Sequence, residues 1–500
     1  MRENAPVCIV ILPLAAALLS LCLGYVKKEA AGWAAIIGLG GAFLCSLQVF
    51  CQAVKTGEVS YYLGNWEPPY GIAFSIDPLS GLIAMMAALL ALLSAIYALS
   101  FVKEEGWVRY AGFYALLSLL AAGLLGMTIT GDVFNLYVFL EIASLAGYGL
   151  IGFGGGKSAL ASFRYLLIGT IGASFYLLGI GYLFAFTGTL NMADLSERMS
   201  PFFENTFMWL PMAMILIGFG IKMALFPMHG WQPDAYSYAH PGAAGLIAGV
   251  MAKIPAYAML RFFFCILDPH VPSVQMAMNL AGIAAAAGII FGSVMAIAQK
   301  DFRRMLAYSS VAQVGYIVVG FSIGNPLALT GAVLHIVGHG FMKSSLFMTA
   351  GAIRYRYGIV LYENFGQLYR RMPVTTAVLV LSGLSMIGVP PTAGFFSKWY
   401  LGLGAAEAGE WIYILLLLVS SLLNAVYFFR VFETIFMQQP SSFTQKEADD
   451  CSANKPGGKE LPLTMLFSMG AAGLLVLVTG LCNQPMAQIL LSSLPEVIHS

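Results

Sequence analysis

Asp132-Val133-Phe134-Asn135-Leu136-Tyr137-Val138-Phe139-Leu140-Glu141 puts a carboxyl group about midway along an apolar run covering 131–152, long enough to cross roughly 30 Å of hydrocarbon as a helix. Apolar and small residues fill the turns after Glu141, and no cation lies near it in the chain. A carboxyl so placed needs a partner from another helix to stay ionised; without one, desolvation leaves it protonated as a hydrogen-bonded structural glutamate. Lys222, Lys253, Lys343 and Lys398 repeat the pattern, each inside a long apolar stretch of a chain that otherwise keeps its charges in loops. One charge at a bilayer centre opposes insertion by roughly 2.5–3.5 kcal/mol, so five uncompensated charges oppose it by more than about 12 kcal/mol. Residues of this kind face a bundle interior or a hydrated cavity and bind or move ions; purely structural charge pairs are the alternative.

Of the 500 residues, 59% are apolar and 10% charged, with a mean hydropathy of +0.81, which leaves too little polar surface for a soluble particle of this size. The expected fold class is an all-α polytopic membrane protein. Runs of spanning length lie at 6–25, 32–54, 79–101, 109–129, 131–152, 159–187, 207–228, 242–264, 273–298, 304–323, 327–352, 373–402, 411–437 and 462–483, or about fourteen transmembrane helices. The first run has only Arg2 before it and no small-residue cleavage site, so it reads as a retained helix rather than a signal peptide. Residues 58–77, polar, aromatic and proline-containing, predict a short hairpin at the membrane face, and 438–460 a solvated, mobile loop.

A net charge of +1, with no basic run interleaved with aromatics, excludes a nucleic-acid partner. Seven scattered cysteines form no CxxC pair for zinc or an iron–sulfur cluster and read mostly as small hydrophobes. Gly152-Phe153-Gly154-Gly155-Gly156-Lys157 lacks the spacing and flanking strand of a phosphate-binding loop. No cofactor or metal is expected, and no catalytic chemistry is assigned to this chain.

Short loops that stay in the cytoplasm are enriched in lysine and arginine. On alternating sides of the expected helices, the loops of one face carry seventeen of these residues and those of the other only Arg2, Lys55, Arg198 and Arg261. The four left over from the total of 25 are the intramembrane lysines. One missed or invented helix would invert every later loop, so the asymmetry supports the helix count and puts both termini on the non-cytoplasmic side of the cell (inner, cytoplasmic) membrane.

Prolines and glycines break the apolar runs beside these lysines: Pro227 and Pro233 after Lys222, Pro255 after Lys253, and Gly388, Pro390 and Pro391 before Lys398. Each break frees backbone carbonyls at membrane depth, which is tolerated where the backbone lines an enclosed or watery cavity. Proline is also simply commoner in membrane helices, so no single break decides the point. Lysine suits proton relay because its ammonium is a point charge that gives up its proton readily on burial. Moving a carboxylate toward or away from it changes the Coulomb energy by several kcal/mol at an effective dielectric of about 20. A static ion pair that aids helix docking is the alternative. His335, His339 and Lys343, each four residues apart, share one helix face and suggest a proton wire; a satisfied core histidine pair or a zinc site lacking a local third ligand are the other readings. His229 and His240 bracket a polar connection through Asp234 that would cap a channel mouth, Asp132 suits a helix cap, and His270 and His499 read as loop residues.

Six segments together resemble one family, the antiporter-like membrane subunits shared by Mrp-type multisubunit sodium/proton antiporters, respiratory complex I and membrane-bound hydrogenases. They are Phe134–Glu141, Lys222-Met-Ala-Leu-Phe-Pro-Met-His-Gly-Trp-Gln-Pro-Asp234-Ala, Ala248-Gly-Val-Met-Ala-Lys253, Asp301-Phe-Arg-Arg-Met-Leu-Ala-Tyr-Ser-Ser310, Leu334–Lys343 and Gly388-Val-Pro-Pro-Thr-Ala-Gly-Phe-Phe-Ser-Lys398-Trp. Lys398, the chain length and Gly64-Asn-Trp-Glu-Pro-Pro-Tyr-Gly-Ile72 are most similar to the D-type subunits of Mrp antiporters, with hydrogenase homologues very similar there. Gln232, where leucine is common, and residues 236–245 depart from the family pattern. The resemblance implies fourteen helices with two inverted five-helix repeats, each containing a broken helix. The implied divisions are N-terminal helices (1–108), a first repeat (109–264), a second (273–437), a hydrophilic loop (438–461) and a C-terminal helix (462–500). It further implies a midplane proton relay in which Glu141 modulates Lys222, Lys253 bridges, His335 and His339 continue the wire and Lys398 ends it. Lys343, nearest an expected helix end, suits access better than transfer. The implied function is monovalent cation (sodium)/proton antiport within a hetero-oligomeric membrane complex, the alternative being the proton-pumping subunit of a redox complex of NADH dehydrogenase or hydrogenase type.

Overall fold

The computed structural model describes residues 4–202, 208–358, 360–439 and 460–494, so most of the expected hydrophilic loop and His499 lie outside the described residues. The chain opens with α1 (Ala5–Val26) and α2 (Lys28–Thr56), followed by a hairpin of β1 (Val59–Tyr62) and β2 (Ala73–Ile76). The strands are antiparallel, with Val59 opposite Ile76 and Tyr62 opposite Ala73, where the sequence predicts a hairpin. Next come α3 (Pro78–Ala98), α4 (Trp107–Ile129), α5 (Val133–Gly152), α6 (Lys157–Thr187) and the short, polar α7 (Met192–Met199). Then follow α8 (Trp209–Met223), α9 (Gln232–Tyr238), α10 (Pro241–Leu246), a π turn (Ile247–Met251), α11 (Lys253–Arg261) and a second π turn (Phe262–Ile266). The remainder is α12 (Pro272–Ala298), α13 (Phe302–Ile323), α14 (Pro326–Tyr357), α15 (Leu368–Arg371), α16 (Pro373–Ile387), α17 (Ala393–Glu407), α18 (Trp411–Met437), α19 (Leu463–Leu481) and α20 (Asn483–Ser493).

Among the described residues, eleven helical stretches are long and apolar enough to cross a membrane, counting Pro241–Ile266 as one. The three other expected runs are also helical: α8 is only 15 residues long, α14 runs for 32, and the run at 373–402 is split into α16 and α17. In α14 the structure differs from the sequence reading. Arg354 and Arg356 do not stop the helix at 352 but sit in its last turn, where cations oppose the negative end of the helix dipole. Lys343 therefore lies near the middle of a helix buried from Ala328 to Ile353 rather than nearest an end.

Several helix starts carry the side-chain caps their residue types dictate. The Asp132 carboxylate accepts the Asn135 amide at 2.6 Å, as expected of a cap, and Asp301 and Asn325 accept from Arg304 and Ala328 at 2.9 Å each. In lipid the apolar surfaces of neighbouring helices gain little from burial against one another, so small residues that permit close approach decide which helices pack. A Cβ on Gly123 of α4 would meet the Ala143 amide of α5 at 2.6 Å, and one on Gly331 of α14 would meet the Leu401 amide of α17 at 2.6 Å. The first contact brings in the helix that carries Glu141, the second the helix that carries Lys398.

Candidate functional site: a buried line of lysines and histidines

The sequence break after Lys222 is a real one. Helix α8 ends at Met223, Ala224 takes a left-handed conformation (φ 61°), and the chain turns back through α9. At the end of the helix the Ile221 carbonyl accepts both the Ala224 amide at 3.2 Å and the Trp231 indole N–H at 2.9 Å. Lys222, one residue before the helix end, benefits from the negative end of the helix dipole. Its Nζ lies 3.3 Å from Glu141 Oε1 on α5 and donates to Ser144 Oγ at 2.7 Å. The lysine side chain is 2% exposed and the glutamate 26%, so the pair is closed on one side and open on the other. Glu141 thus has the interhelical partner its position requires.

Lys253 begins α11 directly after the first π turn and is completely buried. Its ammonium donates to the Ala248 carbonyl inside that turn. Lys343, also buried, donates to the Leu306 carbonyl at 2.7 Å and to the Ser309 hydroxyl on α13. His335 and His339 stack with ring centroids 5.5 Å apart at 16°, which is the shared face expected from their spacing. His335 Nδ1 is 2.9 Å from Ser397 Oγ, whereas both ring nitrogens of His339 are buried without a protein partner.

The second break follows Ile387, where Gly388 adopts φ 98°. Lys398 Nζ crosses from α17 to the end of α16 and donates to Met386 O (3.1 Å), Ile387 O (2.9 Å) and Ser421 Oγ (3.0 Å). Lys222 and Lys398 are therefore each held at the carbonyl end of a broken helix. The Tyr316 ring lies between the second lysine and the histidines, 5.2 Å from Lys398 Nζ and 5.4 Å from the His335 ring. Among the described residues only Lys222 of the four lysines faces a carboxylate; the others end on carbonyls and hydroxyls.

Several of these contacts are absent from the sequence reading: Ser144, Ser309, Ser397 and Ser421 as hydroxyl partners, and Tyr316. Ser144 had one available signal, since it follows Glu141 by three residues and so shares its helix face. The connection between α8 and α10 also differs from the expected polar mouth. Its charge contacts belong to Asp234, paired with Arg164 at 2.7 Å and Arg304 at 3.4 Å. His240 instead caps α10 through Nδ1 among the rings of Phe101, Phe113 and Phe153, and His229 stacks on Phe226.

A family model described as NADH:quinone oxidoreductase/Mrp antiporter, TM, matches residues 130–424, which contain every lysine and histidine of the line. The chain is 45% identical over 501 residues to NADH-quinone oxidoreductase subunit N of Desulforudis audaxviator, covering 97% of each. It is 30% identical over 459 residues to the D-type subunit of a Na(+)/H(+) antiporter of Alkalihalophilus pseudofirmus, covering 92% of this chain and 90% of that one. It superposes with a TM-score of 0.89 on a chain of the membrane-bound sulfane sulfur reductase, an archaeal respiratory membrane complex, at 29% identity over 98% of this chain and 97% of that one. The family resemblance read from the six segments is thereby established, and the chain is a multi-pass integral membrane protein belonging to the NADH:quinone oxidoreductase/Mrp antiporter family.

Proposed function

We propose that this chain is the proton-translocating, antiporter-like subunit of a multisubunit membrane complex, and that protons move along Glu141, Lys222, Lys253, His339, His335 and Lys398. The observation that carries the proposal is the Lys222–Glu141 pair, a nearly closed lysine 3.3 Å from a carboxylate with one open side, at the end of a broken helix. Lengthening that distance removes stabilisation from the ammonium and releases its proton; restoring it reloads the lysine. Lys343, mid-helix and bonded to α13, joins the line as a transfer residue rather than an access residue. The regions 109–264 and 273–437 act as two five-helix units, each with one broken helix. Both termini lie outside the cytoplasm, as the distribution of loop lysines and arginines supports.

The 45% identity to a subunit of a quinone oxidoreductase across both chains favours an electron-transfer reaction elsewhere in the complex as the driving force. The 30% match to an antiporter subunit supports the second reading, exchange of protons for sodium. In vesicles holding the whole complex, Glu141→Ala and Lys222→Ala are each expected to abolish proton movement while the complex still assembles. Normal movement in both variants would overturn the relay. Copurification decides the driving reaction: iron–sulfur subunits support the first reading, small antiporter subunits the second.

A further inference from the structure

Helix α11 starts with Lys253, ends with Arg261 and is bounded by π turns on both sides. Tyr257 lies midway, so the three residues, spaced by four, share one helix face with a drift of about 40° per step. Arg261 counts as a loop arginine in the sequence but is mostly enclosed, and its guanidinium pairs with the Asp77 carboxylate; the two side chains are 19% and 18% exposed. The other Asp77 oxygen accepts the Ser80 amide at 2.7 Å, which caps α3. Tyr257 is buried and donates its hydroxyl to the Thr128 carbonyl at 3.2 Å. The hairpin covers a cavity of about 290 Å³ lined by Glu58, Ser75, Asn191, Arg261 and Cys265 among others, with room for several waters; of the ion pair, Arg261 forms part of its wall and Asp77 lies on the other side of the guanidinium contact. Glu58, the residue before β1, faces it and accepts the Ser75 hydroxyl at 2.7 Å.

We propose that the Asp77–Arg261 pair gates a hydrated proton port under the hairpin, through which Lys253 exchanges protons with the compartment on that face. The proposal rests on the relay reading above. A pair that only docked α3 against α11 would need no polar cavity over it and no buried hydroxyl one turn beneath. Arginine keeps its proton, so Arg261 carries none along the route; its contact with the Asp77 carboxylate closes the route. A proton arriving in the cavity binds the Asp77 carboxylate, and the neutral acid releases the guanidinium. The Tyr257 hydroxyl then accepts that proton on its oxygen as it passes its own to the neutral amine of Lys253, which swings from the Ala248 carbonyl to receive it. One proton enters, one ammonium forms, and Asp77 returns to its ionised, paired state.

Cys265, which lines the cavity, tests this in vesicles carrying the intact complex. A membrane-impermeant cationic methanethiosulfonate added on the hairpin side is expected to label Cys265 and lower proton movement at least about tenfold, with recovery on adding reductant and no effect of the reagent on Cys265→Ala. Tyr257→Phe is expected to lower it similarly with a melting temperature close to the parent; Asp77→Asn, which leaves the enclosed Arg261 unpaired, is expected to lower both, and Asp77→Glu to restore part of each. Labelling without loss, labelling only from the opposite side, absence of labelling, or full movement in Tyr257→Phe would each overturn the port. Lys222→Ala separates the two levels: if it abolishes movement while the Cys265 adduct does not, the port alone fails, and if it moves protons normally, the relay fails.

Discussion

The Ser144 hydroxyl is closer to Lys222 Nζ, at 2.7 Å, than the Glu141 carboxylate is, at 3.3 Å. The ammonium is thus held by a neutral acceptor while the charged one stands slightly back, a geometry in which the carboxylate can move without leaving the lysine unbonded. A hydrogen bond to a charged group contributes roughly 1.5–3 kcal/mol. Ser144→Ala is expected to slow proton movement by about tenfold or more without stopping it, whereas Glu141→Ala stops it. Initial rates from a pH-sensitive dye in vesicles separate the two, and equal loss in both variants would remove the distinction.

Trp231 protects the break rather than the relay itself. Its indole N–H satisfies Ile221 O, and its ring stacks on Tyr165 with centroids 3.8 Å apart. Trp231→Phe keeps most of the stacking and leaves the carbonyl with the Ala224 amide alone, a loss of about 0.5–1.5 kcal/mol. A slightly lower melting temperature is expected in detergent, together with reduced proton movement, because the lost bond loosens the turn that follows Lys222. A variant as stable and as active as the parent would show that the Ala224 amide alone holds the break.

His339 offers the opposite separation of stability from transport. Both of its nitrogens are buried without protein partners, and such groups are costly to hold in place. His339→Leu replaces them with an apolar side chain of comparable size and is expected to leave the melting temperature unchanged or higher. Proton movement should fall at least about tenfold, since only Lys343 then remains to pass protons between Lys253 and His335. If transport survives this substitution, the line does not pass through His339.

Much of this arrangement is legible in the chain because the bilayer constrains it. Apolar runs must be helical, and a charge inside one marks itself by its cost, so the five charges and the breaks beside Lys222 and Lys398 stand out from the residue pattern alone. The end of α14 is not legible in the same way, because arginines that read as a boundary are also good last-turn residues. Asp77, Tyr257 and the serine partners escape the sequence for a different reason. Serine and tyrosine are common in membrane helices, and nothing in their own segments reveals which helix a glycine contact will bring within reach.

Gly331 shows how such a contact supports the site from a distance. A Cβ there would lie 2.6 Å from the Leu401 amide and 3.0 Å from Leu401 Cγ, so any side chain pushes α14 away from α17. The two helices carry His335 and the Ser397–Lys398 pair, and the 2.9 Å contact between His335 and Ser397 depends on their separation. Overpacking of this kind costs roughly 1–3 kcal/mol. Gly331→Leu is therefore expected to lower the melting temperature and to reduce proton movement more than Ser397→Ala does, since it also shifts Lys398 against the α16 carbonyls. Gly402, one residue after Leu401 on the same helix, has nothing within 4 Å of its Cβ position, and Gly402→Ala should leave both properties unchanged. Thermal unfolding of the purified complex and vesicle proton uptake measure the pair. Equal behaviour of the two variants would mean that the α14–α17 approach does not set the geometry of the line.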